Sequence, residues 1–189
     1  MSIEDKIKWN KKYIDTPRLL TKREPSHKLT KFVKDGKDKT ALDVACGNGR
    51  NSIYMAELGF EVDALDISEV ALNNLKQNGI KNIKTELVDL EDFTPKKSYD
   101  VIVMTNYLDR NLIKKLTSSL KKDGILIIET YMHHENNTKA NSNPDFLLKK
   151  DELKSFFDDR YTIIEYDEFD NESYELHRMR KQSIVVKKI

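Results

Sequence analysis

The sequence predicts an α/β fold: a doubly wound, mostly parallel sheet of seven strands that ends in an antiparallel hairpin. Three observations predict it. Short apolar runs alternate along the chain with amphipathic stretches at helical spacing. The most apolar runs, in ALDVAC, DVIVM and ILII, read as central strands of a parallel sheet covered on both faces. The last two strands are joined by only a short loop containing Asn171, Glu172 and Ser173. A parallel pair needs a crossover of about a dozen residues, so these two must pair antiparallel.

The elements follow in order. The first ~35 residues are charged and predicted helical, lying outside the sheet. TALDVAC (Thr40 to Cys46) is the first strand. RNSIYMAELGF follows as a helix, with Ile53, Ala56 and Leu58 on one face and Gly59 as its C-cap. EVDALD (Glu61 to Asp66) is the second strand. Ser68 caps a helix carrying Ala71, Leu72 and Leu75, which stops at Gly79. NIKTELVDL, with Ile83, Thr85 and Leu87 alternating, is the third strand. YDVIVMTN (Tyr99 to Asn106) is the fourth, and Leu112, Ile113, Leu116 and Leu120 define the next helix. Lys122-Asp123-Gly124 reads as a turn before ILIIETY, the fifth strand. Asn143-Pro144 reads as an N-cap and N1 proline opening helical sequence through about Phe157. YTIIEYDEF and KQSIVVKK complete the sheet. The simplest organisation is one domain, 1–189, with residues 1–35 as a helical extension and 36–189 as the core.

Composition narrows the function. The chain has 189 residues, one cysteine (Cys46), and 33 basic against 32 acidic side chains for a net charge of +1. A single cysteine excludes an internal disulfide and a four-cysteine zinc site. The balanced charge gives no support to strong, unspecific nucleic-acid binding. No apolar run approaches the ~18 residues of a membrane span, and the start lacks the apolar stretch of a secretory signal. The expectation is a cytoplasmic protein, a monomer or weak dimer, with no nucleic-acid or membrane partner.

Function is concentrated in one loop. Gly47 and Gly49 lie two positions apart in DVACGNGR, between the first strand and the first helix. Glycines let the backbone turn sharply and let a ligand approach it, and the helix start aims free N–H groups at that point. Asp66 ends the second strand, where a carboxylate can accept from both hydroxyls of a ribose. Ser52 stands where a dinucleotide fingerprint needs its third glycine, and no G-K-[ST] follows for a P-loop.

ALDVACGNGRNSIYMAELGFEVDALDIS resembles motifs I and II of the class I S-adenosylmethionine-dependent methyltransferases, whose sheet is Rossmann-like. In the family pattern an acidic residue precedes x-G-x-G-x-G; here Ala45 replaces the first glycine. GNGRNSIYMAELG, with Trp9 and Tyr13 upstream, is similar to the tellurite-resistance and thiopurine-type small-molecule methyltransferases. TNYLDRNL, IIETY and NPDFLL resemble a bacterial branch of that group.

The resemblance implies roles for S-adenosyl-L-methionine as cofactor. The main chain at Ala45, Cys46, Gly47 and Asn48 packs against its methionine part, and Asp43 meets its amino group. Asp66 binds the ribose, Ile67 lies on the adenine, and Asp89 and Leu90 sit at the adenine edge. Asn106 and Tyr107 line the floor near the sulfonium. Arg50 projects toward the pocket, and Trp9 and Tyr13 fold over it as a lid. Plainer readings stand beside these: Arg50 in a surface ion pair, Asp89 capping a turn, Trp9 and Tyr13 packing on the sheet edge. Cys46 reads as a small strand-end residue rather than a nucleophile.

The methyl acceptor is expected to be a small molecule. Loop residues Tyr107, Asp109, Arg110, Tyr131, His133, His134 and Arg178 are candidates to touch it, and Arg50, Arg110 and Arg178 could together attract an anion. His133-His134-Glu135 lacks further ligands at a metal spacing. No catalytic residue is assigned, because in-line transfer to a soft anion needs alignment rather than a base. The alternatives are a nucleic-acid or protein methyltransferase and a non-catalytic cofactor-binding module. Thr105-Asn106-Tyr107-Leu108 stands where the N/D-P-P-[YF] motif of amide and amine methylation would be.

Overall fold

The computed structural model describes residues 3–139, 143–171, 175 and 177–189. Seven strands form one sheet in the order β3-β2-β1-β4-β5-β7-β6. They are β1 (Thr40–Val44), β2 (Glu61–Asp66), β3 (Ile83–Leu87), β4 (Tyr99–Thr105), β5 (Leu120–Tyr131), β6 (Tyr161–Asp170) and β7 (Arg180–Lys188). The first five are mutually parallel, and β7 runs antiparallel to both β5 and β6. The helices are α1 (Ile3–Asp15), α2 (His27–Phe32), α3 (Arg50–Glu57), α4 (Glu69–Lys76) and α5 (Arg110–Ser118).

Side chains alternate across the central strands, so each strand feeds two cores. Leu42, Val44, Ile102, Met104, Leu126, Ile128, Ile184 and Val186 face α5, which contributes Leu112, Ile113 and Leu116. Ala41, Val62, Val101, Val103, Ile127 and Val185 face the other way, against Leu29 of α2 and Met55 of α3. Both faces being covered explains why these strands read as continuous apolar runs.

The helix ends follow their predicted signals. The Ser68 side chain accepts from the Ala71 N–H at the start of α4. Gly59 (φ +95°) follows α3 and Gly79 (φ +66°) follows α4, both in the left-handed region.

Three expectations need correction, the first being that Leu120 opens β5 rather than closing the helix of Leu112, Ile113 and Leu116, which ends at Ser118. The helix predicted from Asn143 to about Phe157 is two 3-10 turns, Pro144–Phe146 and Glu152–Phe156. Asn143 does cap the first, accepting the Asp145 N–H at 3.0 Å. Leu148 then extends to bridge Met132, and Asp151 takes φ +59°, which breaks helical continuity. Burial of Leu147 and Leu148 overrides the local helical pattern. The turn at Lys122-Asp123-Gly124 lies inside β5 as an irregularity: pairing with β4 slips between Tyr99–Leu120 and Val101–Ile125, with Asp123 at φ +63°. Of the loop expected between the last strands, Glu172 and Ser173 lie outside the described residues. Among the described residues, no helix is long and apolar enough to cross a membrane.

Candidate functional site

The strand order reverses between β1 and β4, which opens a crevice beyond their carboxyl ends. The loop after β1 fills one side of it. Ala45 (φ +54°), Gly47 (φ +57°) and Gly49 (φ +83°) are all left-handed. That geometry lets the chain double back so that Gly49 can cap α3. A side chain on Gly47 would meet the Tyr13 hydroxyl at 2.6 Å, and one on Gly49 would meet Leu75 at 2.4 Å. Ala45, the first of the three and the one with a side chain, carries a strain of ~1 kcal/mol. Asn106, the residue after β4, is also left-handed (φ +59°), a conformation asparagine tolerates. Strained residues therefore gather at the ends of the two strands that flank the crevice.

Two buried carboxylates anchor this crevice. Asp66 is 6% exposed. Its Oδ2 accepts the Gly47 N–H and its Oδ1 the Ser68 N–H, both at 2.8 Å. It thereby ties the glycine loop to the start of α4, while lone pairs remain on both oxygens for a further donor. Burial pushes its carboxyl above the usual range, against those two N–H donors. Asp43 is 1% exposed. Its Oδ2 accepts the Ser52 hydroxyl at 2.6 Å. Its Oδ1 is buried without a hydrogen-bond partner. Burial raises this carboxyl to about 7, with Ser52 and the Arg50 charge pulling the other way. A buried, unpaired carboxylate oxygen is costly unless a donor comes to it.

The Tyr13 side chain of α1 covers the loop. Its hydroxyl lies over Gly47, and its ring is 6.4 Å from that of Trp9. Burial, and then the charge of Asp66, hold the Tyr13 hydroxyl firmly protonated. Burial likewise raises the thiol of Cys46, whose N–H donates to the Leu65 carbonyl at 2.8 Å. Cys46 is thus a strand-end residue with no thiolate character.

The remaining predicted residues divide into two groups. Tyr107 follows β4, half-buried, and burial holds its hydroxyl protonated, with Asp109 the next cause. Ile67 is half-buried beside Asp66, and Leu90 is in the core. Asp89 Oδ1 accepts the Glu91 N–H at 3.1 Å, which is the turn-capping reading. Asn48 and Arg50 point the other way. Asn48 bonds the Thr21 carbonyl and receives Arg23, and Arg50 donates to the Glu24 carbonyl at 3.2 Å. Arg50 lines a cleft of about 500 Å³ with Arg23, Glu129 and Phe169, and the lining of that cleft does not include Asp43, Asp66 or Asn106.

The three arginines do not form one anion site. Arg110 pairs with Glu152 at 2.6 Å and holds the carbonyls of Asp145 and Leu147, while Arg178 pairs with Asp170 at 2.7 Å. The Arg110 contacts tie the start of α5 to the segment after β5, and the Arg178 pair ties the end of β6 to the approach to β7. His133 is exposed, and His134 Nδ1 accepts the Asn136 N–H at 3.2 Å.

One buried polar chain escaped sequence reasoning. Asn51 joins the Ser26 N–H (2.9 Å) to Thr105 (3.3 Å), and the Ser26 hydroxyl donates to Glu129 at 2.9 Å. Glu129 is 3.4 Å from the ammonium of Lys181, a lysine with no exposed surface. That ammonium stands 5.1 Å from the Tyr131 ring centre, and the Tyr131 hydroxyl donates to Glu175. The chain of contacts runs from the start of α3 to the ends of β4, β5 and β7. KQSIVVKK reads as a polar strand end, so Lys181 gave no signal of burial.

The residues present fit a methionine-bearing nucleoside. Asp43 offers a carboxylate oxygen without a donor, Asp66 offers lone pairs at the second strand end, and the glycine loop offers main chain free of side chains.

Comparison with known proteins agrees. Residues 1–188 match the family described as Tellurite resistance protein TehB. A Haemophilus influenzae protein named probable S-adenosyl-L-methionine-dependent methyltransferase TehB is 30% identical over 137 residues, covering 67% of this chain and 47% of its own. The chain thus spans about half the length of that curated relative. A ribosomal protein L11 methyltransferase of Campylobacter concisus is 39% identical over 106 residues, covering 53% of this chain and 37% of its own. The crystal structure of TehB from Haemophilus influenzae superposes with a TM-score of 0.74 at 25% identity, covering 86% of this chain and 60% of that one. The chain belongs to the TehB tellurite resistance protein family.

Proposed function

We propose that this chain is an enzyme that transfers a methyl group from S-adenosyl-L-methionine to a small-molecule acceptor. The observation that carries the reading is Asp43: a buried carboxylate oxygen without a donor, set behind a glycine loop beside a second buried carboxylate. An ammonium group satisfies that oxygen, and ribose hydroxyls satisfy the free lone pairs of Asp66. Ile67, Asp89 and Leu90 then border the adenine, and Asn106 and Tyr107 border the sulfonium.

When bound, the cofactor would supply a methyl group activated by a sulfonium, whose sulfur would keep the electron pair as the methyl passed to the acceptor. The chain's own residues have two tasks. Asp43, Asp66 and the loop main chain fix the donor's position, which aligns the transfer. Tyr13 and Trp9 on α1 cover the crevice and exclude water. Tyr107 and Asn106 place the end of β4 against the acceptor.

A small acceptor is supported by the balanced charge of the chain and by the absence of an N/D-P-P-[YF] sequence after β4. A protein acceptor is the second reading, favoured by the similarity to a ribosomal protein methyltransferase. Calorimetry with S-adenosylmethionine and S-adenosylhomocysteine tests the cofactor. A product assay over a panel of thiols, oxyanions, amines and ribosomal protein then separates the acceptors.

A further inference from the structure

We propose that Asn10 is a positioning residue that couples α1 to the carboxylate of Asp66, so that the helix over the crevice and the ribose contact order each other. The proposal rests on the cofactor reading above.

The contacts form a closed circuit. Asn10 Oδ1 accepts the Ser68 hydroxyl at 2.8 Å and the Val70 N–H at 3.2 Å. The Val70 N–H is a donor, so the atom facing it is the amide oxygen and the flip of the side chain is fixed. The Ser68 N–H donates to Asp66 Oδ1, and Asp66 Oδ2 accepts the Gly47 N–H. Gly47 lies directly under the Tyr13 hydroxyl. Asn10 and Tyr13 are three apart and share one face of α1. The path therefore leaves α1 at Asn10 and returns to it at Tyr13, and Asp66 is its middle link.

Capping alone does not account for this contact. Ser68 already caps α4 from within its own segment, by accepting the Ala71 N–H. Asn10 reaches it from 58 positions earlier and occupies the Ser68 hydroxyl proton, fully buried, beside the residue that holds Asp66. Lys6 and Glu69 add an ion pair at 3.2 Å on the rim, where Glu69 is mostly exposed and the pair contributes little.

The test uses the full chain, S-adenosylhomocysteine as probe, and Trp9 as reporter, since it is the only tryptophan and lies on α1. Asn10→Ala removes the acceptor, and Asn10→Leu removes it while filling the space. Both raise intrinsic helix propensity, so neither weakens affinity by unwinding α1. Asn10→Asp keeps an acceptor oxygen at a helix N-terminus. We expect Asn10→Ala and Asn10→Leu to bind the probe about tenfold more weakly, the loss of one cap-like contact. Their Trp9 emission should shift to the red before ligand is added. Asn10→Asp should stay within about twofold of the parent in both readouts. Wild-type affinity in Asn10→Ala, or an Asn10→Asp variant as weak as Asn10→Ala, overturns the coupling. A parent protein that does not bind the probe overturns the cofactor reading instead, which keeps the two failures apart.

Discussion

Replacing Asp43 by asparagine separates a binding carboxylate from a structural one. The side chain is fully buried, with one oxygen on Ser52 and the other unpaired. Its carboxyl is raised from 3.8 to about 7. The folded state holds this proton more tightly than the unfolded chain does, so the contribution is full below 3.8 and is lost as pH rises through about 7. The full span corresponds to about 4 kcal/mol. Ligand-free Asp43→Asn should lack this part of the decline in stability between acid and neutral pH. Binding gives the sharper signal. At pH 6 the free carboxyl is mostly protonated, and an ammonium ligand favours its ionised form, so cofactor binding should release close to one proton. That release appears in calorimetry as a binding heat that varies with the ionisation enthalpy of the buffer, and it should shrink as pH rises above 7. Asp43→Asn should release no proton and bind more weakly by about 1.5–3 kcal/mol, roughly 10- to 150-fold. A buffer-independent heat at pH 6 in the parent, or an Asp43→Asn variant with parental affinity, would refute the assignment of the ammonium to Asp43.

Other substitutions probe the scaffold and the crevice. Ala45→Gly relieves a left-handed φ of +54° and should raise stability by up to ~1 kcal/mol in thermal unfolding. Gly49→Ala places a Cβ 2.4 Å from Leu75 at φ +83° and should cost about 2–4 kcal/mol; denaturant unfolding reads the loss. Lys181→Met leaves Glu129 buried without its ammonium and should cost about 3–5 kcal/mol, much of it recovered in a double variant with Glu129→Gln. A double variant no more stable than Lys181→Met alone would contradict that pairing.

The fold was legible wherever local signals agreed with burial. Apolar runs covered on both faces gave the central strands, and Ser68, Gly59 and Gly79 marked helix ends by their conformational chemistry. The segment after Asn143 misled because Leu147 and Leu148 fit a helical pattern but are buried as extended chain beside Met132. The crevice was legible as far as spacing reaches: Asp43, the glycine loop, Asp66 and Asn106 all lie at strand ends. What lay beyond reach depended on long-range packing. Arg110 meets the carboxylate of Glu152, 42 residues away in sequence. Asn48 and Arg50 turn toward Thr21 and Glu24, 27 and 26 residues earlier in the chain, rather than toward the crevice. Nothing near Asn10 in sequence reveals that it ends on Ser68.

The most direct test of the account is calorimetric titration of the parent and Asp66→Ala with S-adenosylhomocysteine. Saturable binding at one site per chain is expected in the parent, with a loss of about 10-fold or more in Asp66→Ala, since the substitution removes both the ribose acceptor and the tie to Gly47 and Ser68. No binding by the parent, or undiminished binding by Asp66→Ala, would contradict it.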